Sequence, residues 1–164
     1  MHGVMPLSIG DEAPDIVSTT HKGEPLKLRD FRGKKNVVLY FYPGDFTPVC
    51  TSEACGFRDM YEELVGKGTE VIGVSIDSAE SHNKFAAKYG LAFPLLSDPN
   101  KEIAKKYEAI GFLTTILGRV SRVTFVIDRD GKIAGIFRGE LSAKKHYEGV
   151  RAQLKALEEK QTSS

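Results

Sequence analysis

Both cysteines of the chain fall in one short stretch, Tyr42-Pro43-Gly44-Asp45-Phe46-Thr47-Pro48-Val49-Cys50-Thr51-Ser52-Glu53-Ala54-Cys55. Thr47 followed by Pro48 reads as a helix start. A threonine oxygen can cap free backbone N–H groups, and a proline at the first helical position loses nothing by lacking its own. Cys50 is then the third residue of that helix. A thiol so placed lies near unsatisfied N–H groups and the positive end of the helix dipole, both of which favour thiolate over thiol. Helix N-termini are among the settings that lower a cysteine pKa from about 8.5 to roughly 3.5–7.5. The chemistry on offer is nucleophilic attack by a thiolate at neutral pH. The plain alternative is an inert thiol, because free cysteine is among the most buried residue types. The helix start and a second cysteine five residues on weigh against it.

The spacing of the two cysteines carries its own constraint. Residues five apart on an α-helix differ by about 7.5 Å of rise and about 140° of rotation, so their Cα atoms lie roughly 8 to 9 Å apart. A disulfide needs Cα atoms within about 7 Å. Cys50 and Cys55 therefore cannot bond while the helix is intact, and a bond between them requires at least one turn to unwind. A Cys-x-x-Cys pair closes a shorter loop and needs no such change.

Other residue types offer less. The four histidines, His2, His21, His82 and His146, show no metal-ligand spacing. A zinc site on the two cysteines would have to draw two of them in from afar. Neither common Gly-rich phosphate loop is present. Arg122 opens an apolar run and on local grounds reads as a solvated strand end, unless an anion partner gives it another role. With 23 basic and 22 acidic residues and no block of like charge, a role on nucleic acid or a membrane surface has little electrostatic support. Two cysteines in 164 residues do not make a secreted disulfide scaffold, so the expected compartment is reducing. Met1 to Gly10 lacks the pattern of a signal peptide, and no apolar stretch reaches membrane-spanning length. The expectation is a soluble cytoplasmic protein of one domain, residues 1–164, with flexible ends at about 1–7 and 160–164.

Several elements must position the cysteine stretch. Ile16 to Thr19 and Pro25 to Leu28, around His21-Lys22-Gly23, suggest a short N-terminal hairpin. Asn36 to Tyr42 reads as a strand, and its core Val37-Val38-Leu39-Tyr40-Phe41 lacks polar alternation, as suits a central strand covered on both faces. The helix from Thr47 carries an apolar stripe at Ala54, Phe57, Tyr61 and Leu64, which puts Cys50 on the packed side, and Gly66 and Gly68 end it. Val71 to Ile76 reads as a strand. Asp77 with Glu80 resembles a capping box for a helix that stops at Gly90. Phe93 to Leu96 reads as a strand, and Asp98-Pro99 as the start of a helix through Tyr107. Arg122 to Ile127 and Ile133 to Phe137 flank Asp130-Gly131 as an antiparallel hairpin. Ser142 can cap a last helix with its stripe at Tyr147, Val150, Leu154 and Leu157. This order predicts an α/β architecture: a thioredoxin-like fold with a central mixed sheet flanked by helices and an N-terminal hairpin extension. Chemistry in such open sheets gathers at the carboxyl ends of strands, where the cysteine stretch lies.

Tyr42 to Glu53 resembles the active-site signature of the peroxiredoxins, P-x-x-x-T-x-x-C. Cys55 matches the resolving-cysteine position of the subgroup called bacterioferritin comigratory protein or peroxiredoxin Q. The likeness continues through Gly73-Val74-Ser75-Ile76-Asp77, Ser81-His82, Phe93 to Asp98 and Arg122 to Asp128, and spans about residues 8 to 158. The resemblance implies thiol-dependent reduction of hydrogen peroxide and organic hydroperoxides. It assigns Cys50 as the peroxidatic cysteine, Cys55 as the resolving one and Thr47 and Arg122 as further catalytic residues. Pro43 would shield the pocket, and Glu53 is placed to orient an arginine. It implies an intramolecular disulfide re-reduced by a thioredoxin- or glutaredoxin-type protein, no metal or organic cofactor, and a monomer, with a dimer as the alternative. Val49 stands where such proteins often have glycine. The apolar segment Ile110 to Val120 reads as a loop folded onto the body, a pocket rim or a dimer contact. Two other functions fit the residues alone: a general disulfide oxidoreductase on the same fold, and a redox-sensing module whose unwound helix recruits a partner.

Overall fold

The computed structural model describes residues 7–110, 120–139 and 142–162. Strands β1 (Val17–Thr19) and β2 (Pro25–Lys27) pair as the expected antiparallel hairpin. The central sheet contains β3 (Asn36–Phe41), β4 (Thr69–Ser75), β5 (Leu95–Ser97), β6 (Val123–Ile127) and β7 (Ile133–Arg138), in the order β5-β4-β3-β6-β7. β3 pairs in parallel with β4 and antiparallel with β6, so the sheet is mixed. The α-helices among the described residues are α1 (Pro48–Gly66), α2 (Ala79–Tyr89), α3 (Glu102–Lys106) and α4 (Ala143–Thr162), with a 3-10 turn at Leu28–Phe31.

β3 is buried along its whole length, and its side chains divide the core in two. Val37, Leu39 and Phe41 point into a cluster with Leu26, Leu28, Ile72, Val74, Ala104, Tyr107 and Phe125. Val38 and Tyr40, with Tyr42 just beyond, point into a second cluster with Cys50, Ala54, Phe57, Phe85, Val150 and Leu154. One face of the sheet is therefore covered by the N-terminal hairpin and α3, the other by α1, α2 and α4. Alternation along an extended strand puts successive side chains on opposite faces, and β3 has apolar residues for both.

The N-terminal segment ties into both edges of the sheet. Near β7, Gly10 N–H donates to Ile133 O at 2.8 Å, and Ile133 N–H donates to Asp11 O at 2.9 Å. Near β5, His21 N–H donates to Leu95 O at 2.9 Å, and Leu95 N–H returns a bond to His21 Nδ1 at 3.1 Å. Between these anchors Ala13 and Ile16 are buried in the first cluster.

Three helix ends differ from the reading of the sequence. Asp77 does not cap α2. Ser78 takes that position and accepts from Ser81 N–H at 3.1 Å, because Asp77 is engaged by the loop before α1. Asp98 is not the N-cap of α3, which is Lys101 in a left-handed conformation, because a turn through Pro99 to Lys101 intervenes and the helix begins only at Glu102; the Asp98 carboxylate still accepts from Ile103 N–H at 3.1 Å and Ala104 N–H at 2.9 Å in its first turn. α4 runs through Thr162, into the polar tail expected to fray. The readings of Ile110 to Val120 fall largely on residues 111–119, outside the described residues. Of its ends, Ile110 packs half-buried against the first cluster and Val120 is buried. Among the described residues no helix is long and apolar enough to cross a membrane.

α1 and α4 approach closely because Gly56 has no side chain: a Cβ there would lie 2.2 Å from Tyr147 Cδ2. Gly56→Ala is expected to force the Tyr147 ring aside and to lower stability by about 1–3 kcal/mol, the range for overpacking a dense core. Urea unfolding midpoints of the two proteins check this.

Candidate active site

Cys50 lies in the first turn of α1, third from Pro48 as expected, and is 1% exposed. Two structural facts bring Arg122 to it. β6 runs antiparallel to β3 with Phe41 opposite Val123, so the residue before β6 lies beside the end of β3, where the chain turns into α1. The apolar stripe of α1 then turns Cys50 inward onto that end of the sheet.

Arg122 Nη2 donates to Cys50 Sγ at 3.0 Å, and Nη1 donates to Glu53 Oε1 at 2.7 Å. Glu53 is fully buried and Arg122 is 3% exposed, so the reading of Arg122 as a solvated strand end is overturned. Burial opposes the arginine charge, but Glu53 and Cys50 together hold its pKa above the ordinary arginine value. Glu53 follows Cys50 by three residues and so shares its helix face. The guanidinium is thus gripped by one carboxylate oxygen and aimed at one sulfur.

The other expected residues lie near this contact without joining it directly. Thr47 is the N-cap of α1, with extended backbone as a cap requires, but its hydroxyl caps no N–H of the helix. Instead Oγ1 donates to Gly44 O at 3.0 Å, turned back onto the preceding loop. It is exposed and one turn from Cys50. Pro43 is half-buried just after β3. Cys55 is half-buried and Cys50 buried, both are free thiols, and α1 is continuous between them. This is the helical state in which the spacing forbids a disulfide.

A second network fixes the loop from Pro43 to Thr47. Tyr42 Oη donates to Asp45 Oδ1 at 2.6 Å, Ser81 Oγ donates to Asp45 Oδ2 at 2.8 Å, and His82 Nδ1 meets the same oxygen at 2.8 Å. Asp45 N–H in turn donates to Asp77 Oδ2 at 2.8 Å, which also accepts from Ser75 Oγ at 2.6 Å. The ligand atoms of Asp45, Asp77 and His82 all lie within 4.8 Å of one another. They are joined by these hydrogen bonds, and His82 Nε2 faces Leu96 O at 3.0 Å. The cluster clamps the loop to α2 and β4, and Phe46 within it takes a left-handed φ of 66°.

The sequence reading passed over the residues behind Glu53. His146 on α4 is fully buried, with Nδ1 2.8 Å from Thr124 Oγ1 and 3.6 Å from Glu53 Oε2. The signal was present: His146 precedes Val150 and Leu154 at intervals of four, a polar residue on an apolar helical stripe. Glu53, between Cys50 and Phe57 on α1, carries the same signature.

A family model described as the AhpC/TSA family matches residues 9–136. The chain is 39% identical over 160 residues to peroxiredoxin Bcp of Bacillus subtilis, covering 95% of this chain and 100% of that protein. It is 39% identical over 149 residues to the chloroplastic peroxiredoxin Q of Sedum lineare, covering 90% of this chain and 78% of that one. Among solved structures, peroxidoxin BcpB from Mycobacterium tuberculosis superposes with a TM-score of 0.82 at 35% identity, covering 92% of this chain and 97% of that one. Peroxiredoxin Q from Xanthomonas campestris gives a TM-score of 0.80 at 32% identity, with coverages of 93% and 97%.

Because the Arg122–Glu53 pair is buried, removing one member leaves the other charge deprived of its partner. Arg122→Met is expected to lower stability by about 3–5 kcal/mol, whereas Arg122→Met combined with Glu53→Gln recovers a large part of that loss. Chemical denaturation of the single and double variants measures the difference.

Proposed function

The chain belongs to the AhpC/TSA family and is a peroxiredoxin, a thiol peroxidase of the Bcp or Q kind, and on that premise we propose that Cys50 is its attacking thiolate and Cys55 the thiol that resolves it. The observation that carries the assignment is the Cys50 sulfur held 3.0 Å from the Arg122 guanidinium at the start of α1. Peroxide is the substrate of this family and a thioredoxin-type protein its reductant.

The thiolate attacks one oxygen of the peroxide in line, an S–O bond forms as the O–O bond breaks, and the departing oxygen leaves as water or an alcohol after taking a proton. Cys50 becomes a sulfenic acid. Negative charge grows on the departing oxygen, and donors already aimed at that point lower the barrier. Arg122, first-turn N–H groups of α1 and the Thr47 hydroxyl are the donors at hand, once that hydroxyl turns from Gly44 O. Arg122 supplies positive charge at any working pH. Pro43, half-buried beside the loop, shields the approach.

Resolution needs the second conformation. The first turns of α1 unwind, the Cys55 thiolate attacks the Cys50 sulfenic sulfur, and hydroxide leaves to form water with a proton. The product is the Cys50–Cys55 disulfide. An external dithiol of thioredoxin or glutaredoxin type then restores both thiols by exchange. This reading includes a cytoplasmic, monomeric protein of a single domain over residues 1–164. The compartment rests on two unpaired cysteines in a chain of this size, the single domain on its length, and the monomer on the resemblance to the Bcp or Q kind.

Intact mass after one equivalent of hydrogen peroxide tests the assignment. The wild type is expected to lose two hydrogens and Cys55→Ser to gain one oxygen or more, while Cys50→Ser reacts far more slowly. Turnover of Cys50→Ser at the wild-type rate would overturn it. Amide exchange across Cys50 to Cys55 is expected to rise on oxidation, and unchanged protection there would remove the unwinding step. A general disulfide oxidoreductase would instead show exchange on protein disulfides with little peroxide consumed.

A further inference from the structure

Phe46 is not a glycine, yet its φ of 66° lies in the left-handed region, a conformation that persists where the surroundings over-determine it. One face of α2 supplies those surroundings. Ser81 Oγ and His82 Nδ1 each meet Asp45 Oδ2 at 2.8 Å. The Phe46 ring packs edge-on against Phe85 with centroids 5.1 Å apart, and Lys88 Nζ lies 5.9 Å from the centre of the Phe46 ring. Residues 81, 82, 85 and 88 recur at helical spacing and so share one side of α2. Together they shape the turn by which the chain enters α1. Thr47 follows at once, its hydroxyl bonded to Gly44 O inside the same loop at 3.0 Å.

His82 has no exposed surface, and its partners assign its hydrogens. Leu96 O only accepts, so Nε2 donates to it across 3.0 Å. Asp45 accepts from Tyr42 Oη on Oδ1 and from Ser81 Oγ on Oδ2, as an ionised carboxylate does, so the contact of Nδ1 with Oδ2 calls for a hydrogen on that nitrogen as well. The ring therefore donates at both ends and joins β5 to the loop.

We propose that His82 is a positioning residue of the peroxidase: acting through Asp45, it holds the loop in the shape that sets Pro43 and Thr47 in place for peroxide attack. This inference rests on the reading of Cys50 as the reacting thiol, with Thr47 as a donor to the departing oxygen. The role makes a demand that simple support of the core does not. Loss of the clamp must slow the reaction that needs a donor at the departing oxygen and spare one that needs the sulfur alone.

The test uses the full chain carrying Cys55→Ser, in which Cys50 is the one thiol. Its rates with hydrogen peroxide and with iodoacetamide are measured by stopped flow and by mass, at a pH where ultraviolet absorbance shows Cys50 fully ionised in each protein. His82→Leu is expected to slow peroxide attack about tenfold, the scale of one lost hydrogen bond to a charged group, while alkylation stays close to the wild-type rate. His82→Asn, which returns an amide donor to the place of Nδ1, is expected to recover most of the loss, and His82→Gln, whose amide reaches past it, to recover little. In an Asp45→Asn background, His82→Leu is expected to add little. NMR of the otherwise wild-type chain with isotope-labelled histidine is expected to show hydrogen on both ring nitrogens of His82.

An unchanged peroxide rate in His82→Leu would overturn the proposal, as would an equal fall in the alkylation rate. So would a full further loss in the Asp45→Asn background, no recovery with His82→Asn, or a bare Nδ1 in the NMR spectrum. If His82→Leu does not fold, Ser81→Ala is measured in its place, since it strips one donor from Asp45 Oδ2 at a half-buried position. It is expected to slow peroxide attack by less, again with alkylation spared, and no change in the ratio of the two rates would overturn the proposal. Each variant retains Cys50, so these outcomes are separate from that of Cys50→Ser, which tests the peroxidase assignment itself.

Discussion

Arg122 carries a charge that no working pH removes, and at 3% exposure it has almost no water to solvate it. That charge must be answered from within the protein, and Glu53 and the Cys50 sulfur answer it at 2.7 and 3.0 Å. A buried ion pair is a poor device for stability alone, because the loss of hydration offsets much of the attraction. Apolar side chains at 53 and 122 would pack this junction with less desolvation. What the pair supplies is a guanidinium edge that needs no rearrangement when negative charge arises beside it. The β3–β6 register, the start of α1 at Pro48 and the docking of α4 each bring one part of this arrangement, and displacement of any one would part the charges.

Much of the fold was legible in the sequence because it is written in local patterns. The unbroken apolar run of β3, Pro48 at the helix start, Gly90 at the end of α2 and Asp130-Gly131 between β6 and β7 each encode their element within a few residues. Capping was less legible where candidates stand side by side. Ser78 displaced Asp77 because the Asp77 carboxylate is drawn to Asp45 N–H, a partner 32 positions away. Thr47 was placed correctly as a cap residue, but its hydroxyl answers Gly44 O. In the site, Cys50 was legible from its helix position, whereas the burial of Arg122 was not, since it depends on pairing between strands more than 80 residues apart by the register of Phe41 with Val123. His146 was hidden for the same reason: a polar residue on an apolar stripe announces a buried partner without naming it.

The loop and the helix that meet at Thr47 are held by different means. The loop is bound by side chains from outside it, with Asp45 engaged by Tyr42, Ser81, His82 and Asp77. The first turn of α1 has no comparable side-chain anchor at its cap, and it begins with a proline that gives no N–H. The boundary between a loop held by side chains and a helix turn without a side-chain cap thus lies within the cysteine stretch itself. Tyr42 and Asp45 fix the floor of the site, so in the cycle proposed above the helix would re-form from a preset entry.

The cycle proposed above opens the first turns of α1 and would present side chains buried there, such as Ala54, to solvent. Such exposure invites copies to stick together, above all where a sheet offers free backbone groups at its margins. Here the N-terminal segment bonds to the β7 margin at Ile133 and to the β5 margin at Leu95, on the face of the sheet away from α1. The opening and the margins are therefore secured independently. The same segment that completes the core also occupies backbone groups at both margins of the sheet, where a second copy could otherwise add a strand.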